Sequence, residues 1–170
     1  NPAKNGYAPR SKQTPYEGGI RTPIMFSWPG HLEPGTREEL VSSIDLVPTM
    51  LAAGGADIPK DLPGLNLLPD MKNENEIVRD AIFGESFAHD IADIKDPEAS
   101  LLFRWCIQGR WKLLLTYDGE VNRYKSTHPR TEKRPQLFDL LADPAEEKNL
   151  AGSNPKVVAR LVEKINDWYP

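Results

Sequence analysis

Few residues in this chain are equipped for chemistry, and they are scattered. The three histidines, His31, His89 and His128, lie far apart in sequence, and Cys106 is the single cysteine. His89 follows an apolar run in Glu85-Ser86-Phe87-Ala88-His89-Asp90. An imidazole beside a carboxylate at the end of a strand could donate a proton or contact a sugar. The plainer reading is a loop histidine at the surface. Arg123, Lys125, His128, Arg130, Lys133 and Arg134 crowd one segment in which Glu132 is the only acid. Such a segment could line the approach of a polyanion; its plainer reading is a solvated loop. Arg10 could reach an anionic substrate, or simply sit in solvent. Cys106 stands in an apolar run and reads as a core residue. The sequence holds no P-loop, no G-x-S-x-G elbow, no H-E-x-x-H and no C-x-x-C.

The elements that must position these residues fall into two halves. Residues 1–19 carry Gly6, Pro9, Pro15, Gly18 and Gly19 and read as loop. Ile20–Trp28 is expected to be a buried strand, because Ile24, Met25 and Phe26 run together as in a strand covered on both faces. A short helix is expected after Asp45 as N-cap, with Pro48 in its first turn, Val47, Met50 and Leu51 inward, and Gly54-Gly55 as its stop. The second half changes character. Ala81–Phe87, Leu101–Gln108, Trp111–Tyr117 and Leu137–Leu140 read as strands, the middle two joined by a Gly109-Arg110 hairpin turn. The last helix is capped by Ser153 or Asn154, starts at Pro155, and carries an apolar stripe of Val158, Leu161, Val162, Ile165, Trp168 and Tyr169. Trp105, Trp111 and Trp168 are expected to fill the core between sheet and helix. The fold class is therefore α/β in residues 1–76 and α+β in 77–170. The second part is a small antiparallel sheet of about four strands under a C-terminal helix.

Composition narrows the function classes. The 170 residues carry a net charge of −4, with 39% hydrophobic residues and 27% charged. A mildly acidic chain is a poor candidate for nucleic-acid binding. No stretch of about 18 apolar residues is present, so no membrane span is expected. The opening residues Asn1 to Gly19 are almost wholly polar or turn-forming, and the chain reads as the later part of a longer one.

One segment carries more information than the rest. Lys12-Gln13-Thr14-Pro15-Tyr16-Glu17-Gly18-Gly19-Ile20-Arg21-Thr22-Pro23 resembles a signature of the sulfatases: a lysine, three residues, an aromatic, then Glu-Gly-Gly-Ile-Arg-x-Pro. Further landmarks follow in the family's order. Trp28-Pro29-Gly30 comes next, then Ser43-Ile44-Asp45-Leu46-Val47-Pro48-Thr49, which resembles an "S-x-D-x-x-P-T" helix. Gly109-Arg110-Trp111-Lys112-Leu113 resembles a "G-x-W-K-L" hairpin. Leu137-Phe138-Asp139-Leu140 with Asp143-Pro144-Ala145-Glu146 and Asn149-Leu150 resembles the family's ending.

The resemblance implies an alkaline-phosphatase-like layer and hydrolysis of carbohydrate or aryl sulfate esters. It implies that Lys12 contacts the sulfate. A lysine ammonium is a compact point charge that would stabilise negative charge building on the leaving oxygen. Glu17 and Arg21 are expected to pair or to bond backbone beneath the loop. Gly18 and Gly19 are expected to supply positive φ or close packing, and their turn to place the loop at the carboxyl edge of a sheet. The family's nucleophile motif, Cys or Ser followed by x-Pro-x-Arg, is absent: Ile107 to Arg110 after Cys106 hold no proline, and Ser153-Asn154-Pro155 runs on to Val157. The nucleophile and the calcium ligands are thus expected in an N-terminal catalytic portion of the same protein, which would be this chain's partner. This piece is expected to be inactive alone. The expected ligand is a sulfated small molecule or glycan, and the expected location periplasmic or secreted. Two alternatives stand beside this reading: a phosphonate or phosphate monoester hydrolase of the same superfamily, and a non-catalytic structural or binding module.

Overall fold

The computed structural model describes residues 10–11, 14–88, 93–117 and 132–169. In chain order the elements are α1 (Glu17–Ile20), α2 (Leu46–Ala53), α3 (Leu68–Met71), β1 (Ile82–Phe87), β2 (Leu101–Gln108), β3 (Trp111–Thr116), β4 (Gln136–Asp139) and α4 (Pro155–Trp168). They form two units. One holds the described residues up to Thr22 together with Phe83 onward, and the other holds Pro23–Ile82. No helix among the described residues is long and apolar enough to cross a membrane.

The first unit is built on one sheet of order β1-β2-β3-β4, with β2/β3 and β3/β4 antiparallel. Gly109, at φ 55°, turns β2 into β3, and the register closes on Gln108 opposite Trp111. Directly opposed residues share a face. Trp105 with Leu114, Ile107 with Lys112, and Phe138 with Lys112 therefore point one way; Arg104 with Leu115 and Cys106 with Leu113 point the other. β2 is buried along most of its length, so both faces need cover. The four expected strands are present within a residue or so of their expected ends.

Helix α4 covers the Cys106 face. It packs on β2 and β3, with Leu161 and Ile165 fully buried, as the stripe predicts. Burying a leucine-sized side chain stabilises by about 1.5–3 kcal/mol. Cys106 is fully buried beneath it. Two details differ from expectation. Asn154 precedes the helix, but its side chain turns back to donate to the Leu150 carbonyl at 3.0 Å, while its backbone carbonyl accepts Val157 and Val158 N–H. Trp168 does not fill the core. It remains 41% exposed, because at the helix end one ring face stacks on Phe83 at 5.2 Å and the rest meets solvent.

The second unit corrects two expectations. Residues 21–28 form no strand, and Met25 is 89% exposed. A strand buried on both faces needs neighbours for its backbone hydrogen bonds, and none pairs with it among the described residues. Helix α2 forms, but it turns Asp45, Pro48 and Thr49 inward and leaves Val47 and Met50 largely exposed. The reason is polar. Asp45 accepts Leu65 N–H at 2.7 Å, Ser42 N–H at 2.7 Å, and both arms of Arg79 at 2.6 and 2.7 Å. Thr49 Oγ1 donates to the Asp45 carbonyl and accepts Leu67 N–H. Burial opposes the Asp45 charge, yet Arg79 and the two backbone donors outweigh it and hold the carboxyl below its usual range.

Candidate functional site

The sheet face opposite α4 carries charge. Lys112 lies in β3 among Trp111, Leu113, Leu114 and Leu115, and its side chain is fully buried. An isolated buried ammonium is costly. Here two carboxylates meet it. Lys112 Nζ donates to Glu17 Oε1 at 3.0 Å and forms an ion pair with Glu146 Oε1 at 2.8 Å. Glu146 is 1% exposed, and its Oε2 accepts the Glu17 backbone N–H at 2.5 Å. Trp105 lies beside the group, its ring centroid 6.0 Å from Nζ.

The residues around this ion cluster pin the segment that precedes α1. Tyr16 packs edge-on to Phe138 at 6.1 Å, and its hydroxyl donates to Gln136 Oε1 at 3.0 Å. Arg10, whose φ is 56°, donates to the Glu146 carbonyl and lies 4.7 Å from the Tyr16 ring centroid. Its guanidinium is thus engaged with backbone and ring, at the edge of an open depression of about 600 Å3 that it lines with Gly18, Pro144, Ala145, Glu146 and Glu147. Thr14 donates to the Ser11 carbonyl from its backbone N–H at 3.1 Å and its hydroxyl at 2.6 Å. Gly18 and Gly19 are required by closeness, not by positive φ. A Cβ on Gly19 would stand 2.2 Å from the Thr14 carbonyl oxygen, and one on Gly18 would stand 2.7 Å from that of Arg10.

The turn carrying Glu146 is braced in the same way. Asp143 accepts Lys148 N–H at 2.8 Å and Glu147 N–H at 3.0 Å, and these bonds lower its pKa, with the nearby Arg10 charge adding to the effect. Asp139 takes both arms of Arg110 and the Leu141 and Ala142 N–H groups. The Arg110 bonds, foremost, hold the Asp139 carboxyl below its usual range.

Among the expected site residues, Arg10 is placed as above. Lys12, His89 and Arg130 lie outside the described residues, as do Arg123, Lys125 and His128 of the basic segment. Glu17 pairs with Lys112, a partner not expected from sequence, and Arg21 is exposed. The expectation that a strand follows the Gly18-Gly19 turn fails, because Glu17–Ile20 is a single helical turn with irregular chain after it. Lys112 and Glu146 were not singled out from sequence as functional. The signal was a lysine inside an apolar strand run, but which acid it meets depends on segments far apart in the chain. The described residues contain no group of three or more His, Cys, Asp or Glu that could hold a metal ion. They therefore offer no cage for the calcium ion that the resemblance implies.

Comparison with known proteins adds the following. The model of a family described as "N-sulphoglucosamine sulphohydrolase, C-terminal" matches residues 10–169. Arylsulfatase A of Bos taurus is 32% identical over 163 residues, covering 91% of this chain and 31% of that protein. N-acetylgalactosamine-6-O-sulfatase of Bacteroides thetaiotaomicron is 27% identical over 169 residues, covering 95% of this chain and 30% of that protein. The crystal structure of Ps i-CgsB in complex with k-i-k-neocarrahexaose superposes with a TM-score of 0.64 at 25% identity, over 89% of this chain and 29% of that one. The chain spans about a third of the length of the curated relatives it matches.

Proposed function

Because this chain belongs to the N-sulphoglucosamine sulphohydrolase C-terminal family of the sulfatases, we propose that it serves a protein that hydrolyses sulfate esters of a carbohydrate or aryl alcohol. On this reading residues 1–76 end the catalytic α/β domain and 77–170 form the subdomain that follows. The observation that carries the reading is how the family's landmarks converge. Glu17 of the signature, Lys112 of the hairpin and Glu146 of the ending are separated in sequence and meet in one buried cluster beside the segment that holds Lys12. The names of relatives, one of them an N-acetylgalactosamine-6-O-sulfatase, support a sugar sulfate as the substrate class.

Lys12 is the residue of this chain that acts on the reacting group. Its ammonium binds the sulfate oxygens and stabilises charge as the ester bond breaks. The nucleophile would come from the N-terminal portion, which would also have to supply the ligands of any calcium ion, since the described residues here offer none. The 170-residue chain alone turns over nothing, since the Cys or Ser-x-Pro-x-Arg motif is not in it.

Assaying the full-length protein on an aryl sulfate, sulfated monosaccharides, an aryl phosphate and an aryl phosphonate tests this. Sulfate turnover is expected to dominate. Lys12→Ala is expected to lower kcat/KM by roughly 10²–10³, the scale of losing one preorganised charge-stabilising donor. Preference for phosphate or phosphonate, or a loss below about threefold in that variant, overturns the assignment.

A further inference from the structure

The buried cluster around Lys112 does more than fill the sheet face. We infer that Lys112 is a positioning residue for the sulfate-contacting segment, acting through Glu17 and Glu146; the inference rests on the role proposed for Lys12. Three observations carry it. First, Lys112 is fully buried and Glu146 is 1% exposed. A buried ion pair is weak evidence for stability, since apolar side chains of similar volume often serve as well. Second, both acids spend their remaining contacts on the segment in question. Glu146 Oε2 takes the Glu17 N–H, its carbonyl takes Arg10, and Glu17 opens the helical turn that Gly18 and Gly19 press against the Arg10, Ser11 and Thr14 carbonyls. Third, Ser11 and Thr14, the described residues flanking Lys12-Gln13 in sequence, are bonded to each other and abut those same glycines.

Lys112 is thus the only cation among the described residues paired to both acids. Without it two carboxylates face each other across a dry site, and their repulsion would push Glu17 off the sheet. The segment ahead of Glu17 would move with it. A displacement near 1 Å at a reacting group can cost about 10²-fold in rate.

The test is a double-mutant cycle in the full-length enzyme, on the sulfate ester it turns over fastest, with rates scaled to the folded fraction measured by circular dichroism. Lys112→Met alone is expected to lower kcat about 10–100-fold; in a Lys12→Ala background the same change is expected to cost less than about threefold, because the group it positions is already gone. Equal losses in both backgrounds, or a loss below about threefold in the first, overturn the inference and leave Lys112 as a fold residue. If Lys112→Met does not fold, Glu17→Gln runs the same cycle, with a smaller loss of about 3–30-fold and the same dependence on Lys12 expected. An unsubstituted enzyme without sulfate-ester turnover breaks the proposed function and takes this role with it. Turnover with additive losses breaks the positioning role alone.

Discussion

The two faces of the sheet are covered by different physics. On the Cys106 face, α4 lays Leu161 and Ile165 onto β2 and β3, and both are fully buried. Over Cys106 and Leu113 that cover is apolar and local to one helix, while Arg104 farther along the same face pairs with Glu98 and Glu85 and lies under the Tyr169 ring. On the Lys112 face, residues 14–20 and the Asp143–Glu146 turn hold on through Tyr16, Glu17 and Glu146. That cover is polar and drawn from both ends of the chain. An apolar face loses energy in proportion to area removed. A buried ionic face fails by single deletions, because each partner is left charged and dry. The face supported by ions is also the one that carries Arg10 and Thr14, which flank Lys12 in sequence. Placement there matters more than total stability, since hydrogen bonds and ion pairs have direction and apolar contact has little.

Removing one whole cover is the harshest test of this contrast. Deleting residues 153–170 is expected to expose β2 and β3 and yield an aggregating or unfolded product, judged by light scattering and far-UV circular dichroism. A monomeric truncation with unchanged thermal stability would show that α4 is dispensable. Single substitutions then separate the faces. Lys112→Met is expected to cost about 3–5 kcal/mol as an uncompensated break of a buried ion cluster, against about 2–5 kcal/mol for Leu161→Ala. The distinguishing variant is Lys112→Met/Glu17→Gln/Glu146→Gln. By removing the stranded charges it is expected to recover part of the first loss in urea unfolding, whereas the loss in Leu161→Ala carries no charge to remove and follows the cavity it leaves. Failure of the triple variant to regain any stability would mean that the cluster acts by shape and not by charge.

The smallest effect expected is acid sensitivity at the end of β4 and in the turn that follows it. The carboxyls of Asp139 and Asp143 are held below their ordinary range by Arg110 and by backbone N–H groups respectively. A carboxyl lowered in the native state adds stability above its unfolded value of about 3.9 and loses it as pH falls through the native value. Urea midpoints should therefore decline below about pH 4, and Asp139→Asn should flatten part of that decline. An unchanged slope in that variant would assign the acid sensitivity to other groups, Asp45 among them.

The contrast also marks what was legible in the sequence. Helix α4 and the β2–β3 hairpin were readable because their signals are local: a 3.6-residue stripe behind Pro155, and two apolar runs around Gly109-Arg110. The other cover was not readable as structure. Residues 14–20 look like loop by composition, and it is their meeting with Lys112, Glu146, Phe138 and Gln136 that gives them a surface to sit on. Resemblance supplied the motif letters without their partners. Local reading misled at 21–28, where an apolar triplet suggested a strand, and at α2, where polar groups won the inward face. Asp45 needed Arg79 and Leu65 N–H more than Val47 and Met50 needed burial, since an unpaired buried carboxylate costs far more than an exposed methyl group.

Cys106 gives the sheet a clock. It is the single thiol of the 170 residues, and it sits fully buried on β2 opposite Leu113, on the face covered by α4. A maleimide or disulfide reagent can reach it only when α4 and β2 part. At low reagent the labelling rate reads the equilibrium population of that opening; at high reagent it saturates at the opening rate itself. Each substitution above that leaves α4 in place can thus be timed at Cys106 as well as weighed. A substitution on the Lys112 face that leaves this rate unchanged would have loosened the polar cover while the apolar one stayed shut.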